Sequence, residues 1–262
     1  MRVYIEFARK KFLNNMVYRF DYIIGIINTC LQFFIFWCIY KSLYGAATEI
    51  DGITFPMVAT NFILSLGLSN AFQIDDLFVQ QKVGDGSIVN EFLKPVNFKL
   101  RLFAENLGNI MFKLTFNFLP AFIITTCLVQ IEKPSSLFTL ILFVISAILG
   151  FLVLWQISFI VQMTSFWLIN VWSISTIKNV FVNVLSGAML PLWFMPNSIM
   201  KIIRFTPFDS IYFTPIRIYL GDIQNGDILF NFGRQIIWIG ILYIIGDVMW
   251  RCGQKKLIVQ GG

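Results

Sequence analysis

From Leu137 to Ile160 the chain runs without a single Asp, Glu, Lys or Arg, and several other stretches come close to that condition. An α-helix needs about 20 apolar residues to cross a bilayer, and in lipid every backbone N–H and C=O must be paired inside a helix or a closed barrel. Nothing in the sequence alternates as the strands of an outer-membrane barrel do. The expected fold is therefore all-α integral membrane, one helical domain spanning residues 1–262. With 57% hydrophobic and 13% charged residues and a mean hydropathy of +0.75, the composition is far from that of a water-soluble domain. The net charge of +6 does not point to nucleic acid, because Lys and Arg lie between apolar runs and read as topology signals.

Residues 1–20 mix Arg2, Arg9, Lys10, Lys11 and Arg19 with Val3, Ile5, Phe7, Phe12 and Leu13, which suits an interfacial helix or a basic flank and not a cleavable signal. Spans are expected at 22–43, 55–74, 107–129, 137–160, 177–192 and 228–250. The acidic, cation-free loop at Glu49 and Asp51 places the N-terminus inside, and the even span count returns Arg251, Lys255 and Lys256 to the cytoplasm. Lys113 is expected to snorkel to the inner headgroups, and Pro120 to kink the third span. Residues 161–178 read as an inner turn or interfacial helix. Pro191, Pro196, Pro207 and Pro215 break up an outer segment, 193–222, into short helices that dip into the leaflet.

The longest run suited to water lies between spans two and three. Gly84 and Gly86 permit sharp turns, Asp85 or Ser87 can cap a two-turn helix over Ile88–Leu93, and Pro95 ends it. Ile88, Phe92 and Leu93 are expected to face a partner or lipid, with Asn90, Glu91 and Lys94 solvated; an ordinary polar loop is the other reading. The adjacent Asp75 and Asp76 read as a solvated helix end, since neighbours on a helix point in different directions.

No phosphate loop, H-E-x-x-H or G-x-S-x-G occurs, so the chain is not expected to hydrolyse nucleotide by itself. There is no histidine, and Cys30, Cys38, Cys127 and Cys252 contain no CxxC. No catalytic residue and no metal site are assigned. Polar residues do recur at steps of four inside spans: Asn28 and Gln32; Asn61, Ser65, Ser69 and Gln73; Asn179, Asn183 and Gly187. Each set shares a helix face, which either packs helices or lines a path for an amphiphilic substrate.

Gly86-Ser87 followed by Phe92-Leu93-Lys94-Pro95 resembles the cytoplasmic signature of ABC-2 type transporter permeases, in the branch formerly of unknown function. Ser186-Gly187-Ala188 to Pro191, with Phe194, Pro196, Pro207-Phe208, Pro215 and Leu220-Gly221, resembles that branch's second signature. Asn90-Glu91 departs from the more apolar middle of the first. The resemblance implies a six-helix permease subunit of an exporter in a bacterial cytoplasmic membrane, with an N-terminal elbow helix and re-entrant outer helices. It also implies a coupling helix, here 84–95, that docks one of two separate ATPase subunits carrying ATP and Mg. A second permease completes the pair, a non-identical one slightly favoured over a homodimer. Spans one, two and five commonly face it, so the three polar stripes become substrate path or dimer interface. A non-transporting membrane scaffold or sensor partner is the alternative.

Overall fold

The computed structural model describes residues 1–260 apart from 18, 46 and 224. Helices α1 (Arg2–Val17) and α2 (Arg19–Tyr44) lead into a two-residue hairpin, β1 (Glu49–Ile50) and β2 (Ile53–Thr54). Both residues at its tip are left-handed, Asp51 at φ 51° and Gly52 at φ 77°, the geometry in which Asp-Gly closes tight hairpins. Thr54 then caps α3 (Phe55–Ala71), its Oγ1 accepting the Met57 N–H at 3.4 Å.

Among the described residues four helical stretches are long and apolar enough to cross a membrane: Tyr22–Tyr44, Phe98–Leu128, Leu137–Phe166 and Gly226–Lys256. The chain is a multi-pass, all-α membrane protein. Helix α3 and helix α9 (Trp172–Leu185) are shorter. Between Phe98 and Leu128 the rod comprises α6 (Phe98–Lys113), a π-helical turn over Leu114–Phe118 and α7 (Leu119–Leu128). Pro120 offers no N–H to the carbonyl four residues back, and the π turn immediately before it absorbs the mismatch, so the expected kink takes this form.

Several boundaries differ from expectation. Helix α3 ends at Ala71, and Asp75 and Leu77 form a turn before a helix not foreseen, α4 (Phe78–Gly84). The third rod starts at Phe98 and not Leu107, because Asn97 caps it by accepting the Leu100 N–H at 3.0 Å. Helix α8 (Leu137–Met163) and a 3-10 turn, Thr164–Phe166, take up the first third of the region read as an inner turn. The N–H of Val171 donates to Gln80 Oε1 and that of Trp172 to Asn170 Oδ1, which start α9 five residues before the expected Ile177. Short helices α10 (Asn197–Arg204) and α11 (Phe213–Leu220) lie within residues 193–222, where short helices were expected. Helix α12 (Asn225–Gln260) carries Arg251, Lys255 and Lys256 inside the helix rather than in a tail.

The main core gathers around α8, whose Phe151, Val153, Leu154, Trp155 and Phe159 are buried, chiefly against α11 and α12, with Phe72 just past α3 meeting Phe151. Gly150 is required there: a Cβ would strike the carbonyls of Ser210 and Ile211. Helix α1 lies on α6 in the same close way, since a Cβ on Gly108 would enter the backbone of Ala8. Asn15 Nδ2 donates to Asn109 Oδ1 at 2.9 Å, and Phe12 meets Phe112 edge-on.

Candidate functional site

The segment between α4 and α6 turns on Asp85-Gly86. Gly86 has φ 72°, open to glycine at no steric cost. Asp85 Oδ1 accepts the Ser87 N–H at 2.8 Å, so it shapes the turn; neither Asp85 nor Ser87 caps the following helix. That helix, α5 (Ile88–Phe92), is a little over one turn, shorter than expected. Gly84 is the last residue of α4, and Pro95 stands exposed between α5 and the Asn97 cap.

Two expectations for α5 are corrected. Ile88 is 1% exposed and belongs to the protein's own core, so it is not available to a partner. Glu91 is not solvated: it is 6% exposed, and its Oε2 pairs with Arg101 and, at 2.9 Å, with Lys94. A buried carboxylate needs such partners, and Arg101 also reaches Glu105 at 3.4 Å. Phe92 stacks toward Trp250 of α12 at 5.4 Å, and Trp250 lies parallel to Phe98 at 4.7 Å. These contacts fix the base of α5 and leave Val89 and Leu93, 56% and 76% exposed, as a free apolar pair at i and i+4.

The polar stripes divide. Gln32, Ser69, Asn179 and Asn183 line one cavity of about 830 Å³ among α1, α2, α3, α6, α8 and α9, with Asn70, Gln73, Asn106 and Asn109 beside them. It lies toward the end of the helices where α3 and α8 finish and α6 begins, the end that carries α4. Ser65 is buried and donates to the Ala188 carbonyl at 3.3 Å, a packing role. Asn61 is fully buried away from the cavity, and neither of its amide atoms has a partner. Asn28 points outward from α2. Gly187, at φ 80°, ends α9 in a turn against Phe213 and Leu192.

Asp76 is the clearest departure from the sequence reading. It is 3% exposed, pairs with Lys178 of α9 at 2.6 Å and accepts from Ser175 Oγ at 2.7 Å. Lys178 Nζ also donates to Ser158 of α8 at 3.0 Å, so one charge pair joins α8, α9 and the turn after α3. Asp75, in contrast, is exposed. A carboxylate at one span's end and a lysine at another's start on the same side form a signal that the sequence did contain. Between α10 and α11 Asp209 pairs with Arg234 of α12 at 2.7 Å, and Gln235 Nε2 donates to the carbonyls of Ser146 and Ser210. Lys113, expected at the headgroups, donates to Gln73 Oε1 at 2.8 Å.

A surface-held helix between two membrane rods and a polar cavity among the helices suit a transport subunit. A family model described as ABC-2 family transporter protein matches residues 26–261, nearly the whole chain. The chain belongs to the ABC-2 transporter family. A search of curated proteins returns no match at the significance applied. ABC-2 membership makes this chain a membrane transport component of the kind that works with ATPase subunits, normally without a catalytic site of its own.

Proposed function

We propose that the chain is the permease subunit of an ATP-binding-cassette exporter that moves an amphiphilic substrate outward across a bacterial cytoplasmic membrane. ATP and Mg are held by two separate ATPase subunits. The observation that carries this reading is α5: its base is pinned by Glu91, Arg101 and the Phe92–Trp250–Phe98 stack, while Val89 and Leu93 stay uncovered. Gly84 to Pro95 is the coupling element in this reading, and α1 is the elbow helix. Helices α3 and α9 join the four long stretches to make six spans, both termini are cytoplasmic, and α10 and α11 form the outer re-entrant segment. A second permease, a non-identical one slightly favoured over a second copy of this chain, completes the path, and the two halves rock as the ATPases close and reopen.

The test is purification of the chain from its own membrane in mild detergent, followed by identification of what accompanies it and assay of that fraction for ATP hydrolysis. A stoichiometric nucleotide-binding subunit, lost on Leu93→Asp, is the expected result. A functional preparation with no such subunit overturns the reading in favour of a scaffold.

A further inference from the structure

The cavity is not electrically neutral in its layout. Lys11 from α1, exposed, and Lys113 from α6, partly buried, both line it. Among the described residues neither has a carboxylate within ion-pair distance. The other charged groups on the lining are accounted for. Lys178 is taken by Asp76, Glu105 faces Arg101, and Asp75 is solvent-exposed with its Oδ1 accepting the Leu77 N–H. Lys113 has only the neutral Gln73 as partner.

Two further features describe an occupant. Gln162, 3% exposed, lines the same cavity, and its Oε1 is buried without a hydrogen-bond donor. The walls also include Phe72, Leu102, Leu154 and Val182, so an apolar chain finds surface beside the polar groups. At about 830 Å³ the space lies within the roughly 300–1,000 Å³ typical of small-molecule sites.

We infer that this cavity receives the anionic group of an amphiphile, a phosphate or carboxylate borne on an apolar chain. Lys11 and Lys113 supply the counter-charge, and Gln162 accepts from a hydroxyl or amide of the same molecule. Two cations on the lining of one cavity, neither matched by a carboxylate at ion-pair distance, favour an anion beside them and disfavour a cationic amphiphile for the same reason. The inference rests on the permease reading for the word substrate; the charge preference rests on the cavity alone.

The experiment measures binding to the chain purified from its own membrane, with its accompanying subunits, in a neutral detergent. The probes are dodecyl phosphate, dodecyltrimethylammonium, dodecyl maltoside and inorganic phosphate, followed by thermal unfolding and by ATP hydrolysis. Dodecyl phosphate is expected to bind roughly tenfold or more tighter than each of the other three. The Lys11→Gln/Lys113→Gln double variant is expected to lose that margin. Lys113→Arg keeps it, as does Lys10→Gln, which removes an exposed α1 charge off the lining. Equal binding of all amphiphiles, or an unchanged margin in the double variant, overturns the proposal. Inorganic phosphate binding as tightly as dodecyl phosphate overturns its amphiphile half and points to a soluble anion. ATP hydrolysis stimulated only by a neutral or cationic amphiphile leaves the permease reading standing and sinks this one. Selective dodecyl phosphate binding with no ATPase present does the reverse.

Discussion

At the residue scale the most consequential contact is the buried pair Glu91 and Arg101, which Lys94 joins from the exposed side. Glu91 and Arg101 are 6% and 5% exposed, so removing one leaves the other buried with its charge poorly matched. Glu91→Ala is expected to destabilise the fold by about 3–5 kcal/mol, read as a lowered unfolding midpoint in detergent, whereas Leu93→Ser at the exposed neighbour stays within about 0.5 kcal/mol. Lys99, two residues before Arg101, is held differently. Its Nζ has no hydrogen-bond partner and lies 3.7 Å above the Tyr243 ring and 4.8 Å from that of Phe159, tying the start of α6 to α8 and α12. A second pair of substitutions separates packing from path. Asn61 is buried off the cavity with an unpartnered amide, and Asn183 lines it. Asn61→Leu should preserve the substrate response and hold or raise stability, because it deletes an unsatisfied amide. Asn183→Leu should change the dependence of ATP hydrolysis on added amphiphile while assembly survives. The opposite pattern would return Asn183 to a packing role.

At the scale of elements, α5 is short because its residues do two jobs in so few positions. Ile88 and Glu91 point into the protein and Val89 and Leu93 out of it, which is the three-to-four residue repeat of one helical turn. Val89→Asp and Leu93→Asp are each expected to abolish co-purification of the ATPase with little change in the chain's unfolding midpoint. If the midpoint falls instead, the pair belongs to the core. Much of this element was legible in the sequence: the Gly86 turn and a helix after it follow from local chemistry, whereas the Asn97 cap, equally local, was not read, and the next rod was expected to start at Leu107. Its facing was not, because the partner that turns Glu91 inward, Arg101, lies on the next helix, and Ile88 reads the same whether it meets lipid or core. The apolar rods were legible for the same local reasons. Their ends were misplaced where polar residues fold back into the protein. Lys178 sits inside α9 because Asp76 neutralises it, and hydropathy alone pushes such a residue to the boundary. The division of the polar stripes was likewise hidden, since a step of four places residues on one face without saying what that face meets.

For the whole molecule, the unequal covering of the helices sets the final expectation. Helix α8 is covered over its second half, but α9 packs mainly on α8 and the turn at Phe208–Ser210, and it leaves Ile177, Val180, Phe181, Asn179 and Asn183 uncovered. A face that mixes bare amides with apolar side chains is poorly suited to hydrocarbon, where an unpaired polar group costs several kcal/mol at about the scale of transfer from water. It is better suited to another protein surface across the mouth of the cavity that Asn179 and Asn183 line. The outer faces of α8 and α12 are different, with Val144 and Ile244 exposed among apolar neighbours, as lipid requires. In a chain whose four native cysteines are replaced by serine or alanine, a single cysteine at Asn179, alkylated with a maleimide-benzophenone, should photo-cross-link to a second permease in native membranes. Cysteines at Val144 or Ile244 should remain uncross-linked. Mass spectrometry of the Asn179 product then reads the partner directly, with two copies of this chain for a homodimer and a second permease sequence for a heterodimer. Cross-links from Val144 or Ile244 but none from Asn179 would put the interface on the other side of the molecule, and the mouth of the cavity would then open to lipid.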